Sequence, residues 1–217
     1  MLRTAAVTGR LLELIKILMA DAWLRDFHLV GGTALALILG HRQSIDIDLF
    51  SQRDFDVEDL RTHLVNTYDY TVDKISNATL IGHIDSIKVD CIRYNYPLIN
   101  PLEETEGIRM ASVADIAAMK LIAASQSGDR LKDFVDLAFL SSHMTFNQML
   151  EAFARKYAKT DKMVAVRGLT YFNDIDFSVK IDLPTGRFNW QSIAERLHMM
   201  VKYPDRLFPN SPLLQEE

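Results

Sequence analysis

The spacing of apolar positions switches near Pro101, from period two before it to helical spacing after it. The first stretch departs from this: apolar residues in 7–24 recur at helical spacing and predict an opening helix whose apolar face packs on a sheet. Residues 27–30 then read as a strand, Gly31-Gly32 as a tight turn, and residues 33–39 as a short helix closed by Gly40. Residues 44–50 alternate as a second strand, with Ile45, Ile47 and Leu49 expected to face a core. A helix capped by Asp54 or Asp56 runs to about Asn66, and strands follow at 71–75, 77–82 and 87–94, with a turn at 83–86. Residues 95–109 hold Pro97, Pro101 and the acidic run Glu103-Glu104-Thr105-Glu106, and read as a loop. Beyond it the pattern predicts helices at 113–125, 145–158 (Met149, Leu150, Phe153, Ala154 and Tyr157 inward) and 190–201, with a charged helix start near Asp129. The fold class expected is α/β (α+β): a mixed sheet flanked by helices over residues 1–105, then a mostly helical domain over 106–217.

Chemistry concentrates in the glycine turn and the second strand. Residues two apart on a strand share a face, so Asp46 and Asp48 project together. Neighbouring carboxylates raise each other's pKa, and a cation between them removes that penalty. Hard oxygen donors suit Mg2+ or Mn2+. Gly31 and Gly32 let a ligand approach the backbone, and a helix beginning at Thr33 offers N–H groups and a positive dipole end to a phosphate. The glycine turn and the carboxylates are separated by 13 residues, positions 33–45. A metal-bound nucleoside triphosphate fits that combination. Asp90 is a further carboxylate in a β-branched run between Val89 and Cys91. Lys120 interrupts an otherwise apolar helix, placed either to snorkel or to meet an anion.

Composition narrows the setting. A single cysteine, Cys91, excludes an internal disulfide and a cysteine zinc cluster and fits a reducing cytoplasm. The apolar stretch at 11–24 is broken by Glu13, Lys16 and Asp21, too short and too polar to span a membrane. With a formal net charge of −5, nothing global marks a nucleic-acid binder; a polynucleotide partner needs a local basic patch over the acidic site.

The string Gly31-Gly32-Thr33-Ala34-Leu35, followed by His41-Arg42-x-Ser44-x-Asp46-Ile47-Asp48-Leu49-Phe50, resembles the AbiEii/AbiGii-type nucleotidyltransferase toxins of the DNA polymerase beta-like superfamily. Residues 108–121 and the segment Lys132-Asp133-Phe134-x-Asp136-Leu137 are similar to a second block of that family, as is 169–174 to a segment near its end. The family places an arginine about five residues before the Lys-Asp pair, where this chain has Gly128. The resemblance covers roughly 25–195. It implies a polymerase beta-like fold and transfer of a nucleoside monophosphate from an NTP to a hydroxyl of an RNA (a tRNA, for example) or a protein. It also implies toxin activity restrained by an antitoxin protein. Asp46, Asp48 and Asp90 are then the metal-binding acids, with Asp90 the third acid on a later strand. Gly31, Gly32, Thr33, Arg42, Ser44, Lys120, Asp133 and Asp136 are the expected nucleotide-binding set, and Lys120 joins the three acids as a catalytic residue. The alternative is a nucleotide-binding scaffold of the same fold without catalysis.

Overall fold

The computed structural model describes residues 1–127, 129–184 and 186–213, so Gly128 lies outside the described residues. The chain divides into two compact units. The first holds 1–40 and 44–111, the second 41–43 and 112–217.

The first unit is built on a seven-stranded mixed sheet. Its elements in chain order are α1 (Gly9–Ala20), β1 (His28–Leu29), α2 (Gly31–Leu39), β2 (Ile47–Ser51), α3 (Val57–Tyr68), β3 (Thr71–Ser76), β4 (Thr79–Ile84), β5 (Ile87–Arg93), β6 (Glu103–Thr105) and β7 (Ile108–Met110). The strands lie in the order β3-β4-β5-β2-β1-β7-β6. β2 runs parallel to β5 and antiparallel to β1, and β1 is parallel to β7. Alternation explains the core: Ile47 and Leu49 are fully buried while Asp48 and Phe50 are only half-buried. Ile45 was expected to face the core and is instead 60% exposed. Its strand begins pairing only at Ile47, opposite Val89, so the alternation does not reach back to it.

The helix caps follow the expected chemistry. Thr8 and Asp56 accept from the backbone N–H groups of Leu11 and Asp59. The 83–86 turn is shorter than expected. His83 and Ile84 belong to β4, and only Asp85 and Ser86, both with positive φ, make the bend. The acidic 103–106 run forms a hairpin rather than a loop, turning on Glu106 and Gly107 at φ of 54° and 78°. Arg109 then donates to the carbonyls of Met19, Leu24 and Phe27 at 2.9–3.2 Å, which ties β7 to the segment between α1 and β1.

The second unit holds α4 (Val113–Gln126), α5 (Leu131–Leu140), α6 (Phe146–Lys156), α7 (Lys162–Thr170) and α8 (Trp190–Lys202). Gly168 allows α7 to close on α4, since a Cβ there would meet the Ser125 backbone at 2.6 Å. Phe172 makes edge contacts with Phe134 and Trp190 at 5.5 and 5.1 Å, which gives the 169–174 segment its packing role. On α6, Ala154 is exposed rather than inward. Ala152 and Lys156 take the buried positions, and the Lys156 ammonium meets the Asp115 carboxylate at 2.8 Å. Among the described residues, no helix is long and apolar enough to cross a membrane.

Candidate functional site

In the first unit, β1 ends at the glycine pair and α2 begins there. Both glycines are inside the helix rather than ahead of it, with Val30 as N-cap. Gly31 has φ +69°, and a Cβ built on it would run into the Asp48 carboxylate. The missing side chain therefore lets that carboxylate lie directly against the start of α2. The Val30 N–H donates to the Asp48 carbonyl at 3.0 Å, which fixes the two segments to each other. Helix geometry leaves the first N–H groups of α2 without intrahelical partners, and Ala34 is the first to pair, at 3.4 Å to the Val30 carbonyl. An anion placed there meets N–H donors and a positive dipole end.

Thr33 and Ser44 act internally. The Thr33 hydroxyl donates to the Asp46 carbonyl and lies 2.7 Å from the Ser44 hydroxyl. Both side chains are buried, so they hold the backbone around Asp46, and only the Thr33 main chain belongs to the helix N-terminus.

Asp90 lies on β5 in register with Asp48 of the parallel strand β2, so both carboxylates leave the same sheet face. Asp90 is 6% exposed. Its Oδ2 accepts from the Lys88 ammonium at 2.5 Å, while its Oδ1 is buried with no hydrogen-bond partner. A bare buried carboxylate oxygen is costly and marks a position prepared for a cation or donor. Among the described residues, no three His, Cys, Asp or Glu side chains converge into a metal cage. Mg2+ commonly takes one or two carboxylates and completes its octahedron with substrate phosphates and water. All the donors here are oxygens, so the set fits a hard divalent cation and not a thiolate- or imidazole-seeking one.

The remaining candidates form a buried network in the second unit. Asp136 is fully buried. Its Oδ1 accepts from Arg42 Nε (2.6 Å) and His41 Nε2 (2.7 Å), and its Oδ2 from Arg42 Nη2 (3.0 Å) and Lys120 Nζ (2.7 Å). Lys120 also donates to Asp133 at 2.6 Å. Burial alone would raise the Asp136 pKa, but the Arg42 and Lys120 charges and the His41 hydrogen bond outweigh it and hold the carboxyl well below its usual range. Burial alone would lower the Lys120 pKa, and the two carboxylates raise it instead. For His41, burial dominates and lowers the pKa, with the Arg42 and Lys120 charges adding to it against Asp136. The ring is therefore neutral. Because a carboxylate can only accept, Nε2 carries the proton, and the unpartnered buried Nδ1 is a bare lone pair.

This network changes the picture of Arg42. The expectation was a nucleotide contact; the guanidinium is instead buried, paired to Asp136 through two nitrogens and donating to the Gln43 carbonyl at 2.9 Å. Asp133 and Asp136 hold Lys120, which spends two of its three N–H donors on them. His41 and Lys88 were not anticipated. The signal for Lys88 was present, because it sits two residues before Asp90 on the same strand face. His41 stands in the family-like string, but nothing local gave it a role, since its partner lies 95 positions away.

The profile of the family described as "Nucleotidyl transferase AbiEii toxin, Type IV TA system" matches residues 14–205. An uncharacterized protein of Aquifex aeolicus (strain VF5) is 34% identical over 191 residues, covering 82% of this chain and 87% of that protein. Among solved structures, a candidate nucleotidyltransferase from H. pylori superposes with a TM-score of 0.53 at 18% identity, over 91% of this chain and 96% of its own. The antibiotic-resistance factor ANT(2'')-Ia superposes at 0.52 and 16% identity, over 68% and 90%. Both likenesses are of fold: a nucleotidyltransferase mixed sheet flanked by helices.

Proposed function

Because this chain belongs to the AbiEii nucleotidyl transferase toxin family, we propose that it is a divalent-metal-dependent enzyme moving a nucleoside monophosphate from an NTP to a hydroxyl of an RNA or a protein. The observation carrying this reading is the juxtaposition on one sheet face: Asp48 in register with Asp90, and the start of α2 closed against Asp48 through Gly31.

Asp46, Asp48 and Asp90 are the residues assigned to hold Mg2+ or Mn2+. When bound, the cation neutralises charge on the triphosphate and on the departing pyrophosphate. The chain's own part is positioning. The N–H groups at the start of α2, on Gly31, Gly32 and Thr33, bind phosphate oxygens. The Thr33 and Ser44 hydroxyls fix the Asp46 main chain and so aim its carboxylate. Within the second unit, Asp133 and Asp136 fix the direction of the Lys120 ammonium. Arg42 acts by orienting Asp136. The type IV toxin–antitoxin assignment of the family supports a protein whose activity is restrained by an antitoxin in the cell that makes it.

The test is incubation of the purified chain with each labelled NTP, Mg2+ and a cell extract, followed by identification of the labelled species. Label retained on RNA or protein, absent with Asp48→Asn, is the expected result. Tight NTP binding with no label transferred to any species would overturn the reading in favour of a nucleotide-binding scaffold.

A further inference from the structure

Lys88 precedes Asp90 by two residues on β5 and shares its sheet face, yet the function proposed above gives it no part. Its side chain is 40% exposed, so the long stem could carry the charge out to water. Instead the ammonium lies back on the buried Asp90, donating to Oδ2 at 2.5 Å. The β4 side brings Asp90 no other ligand atom. Ile81 stands in register with Asp90, and Ile92 follows it on its own strand. His83 stands opposite Lys88, and its Nδ1 already holds Asp73 at 2.8 Å. On the β2 side, Asp48 is in register with Asp90. The two parallel strands first pair at Ile47 and Val89, and Asp46 and Lys88 directly precede that pair. One end of β2 and β5 thus gathers three carboxylates and one ammonium.

Charge decides how many metal ions such a site takes. Two negative charges remain after Lys88 is counted, and one divalent cation neutralises them. A second would leave an excess of positive charge before any triphosphate arrives. Space on the ligands says the same. Asp90 Oδ1 is open to an ion, but Oδ2 is taken, so a second ion on Asp90 must displace the lysine. Sites with two metal ions use one for the attacking oxygen and the other for the leaving group. The helix start suited to phosphates closes on Asp48 through Gly31, at the β1 side of β2, whereas Lys88 and Asp90 lie at the β5 side. We propose that Lys88 is a resident cation, standing on Asp90 where a two-ion site has its second metal ion, so that the loaded site holds a single divalent cation. This rests on the nucleotidyltransferase reading and names how the same site is charged. Lysine suits the part, as a compact point charge with three donors on a flexible stem. It also answers the repulsion between Asp48 and Asp90 in the protein before any ion arrives.

The test counts ions. Mn2+ is titrated into the whole chain with a non-hydrolysable NTP analogue, and the free-ion electron paramagnetic resonance signal gives the amount bound. Wild type takes up one ion per chain and Lys88→Met takes up two. Lys88→Arg, which keeps a cation, stays at one. A second readout needs no nucleotide. Without metal, Lys88→Met melts below wild type because the buried Asp90 has lost its cation, and Mn2+ reverses the loss, while Lys88→Arg melts like wild type. Two ions on wild type, or one on Lys88→Met, overturns the proposal. The two readings fail separately. Transfer that depends on Asp48, with two ions on wild type, removes the resident cation and leaves the enzyme. One ion on wild type and two on Lys88→Met, with no nucleotide transferred to any species, leaves the resident cation and removes the enzyme. No ion on either protein overturns the proposal and takes the metal out of the reading beneath it.

Discussion

An Asp136→Asn substitution exchanges one oxygen for a nitrogen in a fully buried side chain, and the structure gives a size for the effect. Arg42 and Lys120 bring two positive charges to the network, Asp133 and Asp136 two negative ones, and His41 is neutral. The network is balanced as it stands and is left with one excess positive charge in the variant. Either orientation of the new amide fails. Its NH2 faces Arg42 Nη2 and Lys120 if turned one way, and Arg42 Nε and His41 Nε2 if turned the other. Removing one partner of a buried ion pair costs roughly 3–5 kcal/mol. For a chain of this length each kcal/mol moves the midpoint by about 2–4 °C, so the expected fall in Tm is roughly 6–20 °C, read by circular dichroism near pH 7.5. Lys120→Met alone should cost a comparable amount, since Asp136 keeps three of its four hydrogen bonds but the buried Asp133 loses its ammonium partner. The double variant restores charge balance and should lose about 0.5–3 kcal/mol less than the sum of the singles. A Tm for Asp136→Asn within about 2 °C of wild type, or strict additivity in the double variant, refutes the idea of a balanced buried network.

Three further outcomes are expected. Asp48→Asn should reduce nucleotide transfer to background while leaving metal-free Tm unchanged or raised, because it removes one of two like charges in register on neighbouring strands, and Asp46→Asn, just ahead of β2, should abolish transfer alike; a variant that melts far below wild type yet still transfers would sink the metal assignment. Gly31→Ala should lower stability by about 1–2 kcal/mol from the positive φ alone, and further by displacing the Asp48 carboxylate, so urea melts and transfer assays should both suffer; wild-type behaviour in both would refute the close approach. His41 has its folded pKa depressed, so its contribution is full above the ordinary value of about 6.5 and is lost as pH falls below it; Tm should decline from pH 7 to 5 less steeply in His41→Asn than in wild type, and parallel profiles would contradict a buried neutral ring.

The readable part of this chain was whatever depends on short-range spacing. Alternation placed Asp48 and Asp90 on strands, and the Gly31-Gly32 pair marked the start of a helix. Asp56, one of the two expected caps, is the one that the backbone uses. What sequence could not give was where polar side chains far apart in the chain are spent. Thr33, Arg42 and Ser44 are residue types that suit phosphate. Nothing local says that Thr33 and Ser44 bond each other, or that Arg42 closes on a carboxylate 94 positions away. The 103–106 run misled for a different reason. Three glutamates read as a solvated loop, yet a strand at the edge of a sheet is where charged side chains are tolerated and blunt unwanted pairing, and β6 is that edge.

The same residue type is treated in opposite ways in the two units, and the contrast separates structure from chemistry. Asp115 and Asp136 are fully buried, and each meets a buried cation at hydrogen-bond distance, Lys156 for one and Arg42 with Lys120 for the other. Such carboxylates are ionised, satisfied and fixed, and a ligand could recruit them only by breaking bonds already made. Asp90 is nearly as buried but only half satisfied: Lys88 takes Oδ2, Oδ1 has no donor, and Asp48 of like charge stands in register on the next strand. A fold selected for stability alone gains nothing by holding these two acids side by side with one oxygen bare, since pairing or removing Asp90 would lower the cost. Asp133 Oδ2 of the second unit is bare as well, but its carboxylate keeps the buried Lys120 ammonium, whereas Asp90 has only the half-exposed Lys88 and a like charge in register, and it is this position that points to a ligand. That ligand must bring positive charge to the face and must compete with, or add to, the half-exposed ammonium of Lys88. A Lys88→Met variant should accordingly bind Mg2+ more tightly than wild type, measured by calorimetry without nucleotide. Weaker binding would mean that Lys88 prepares the site instead of competing for it.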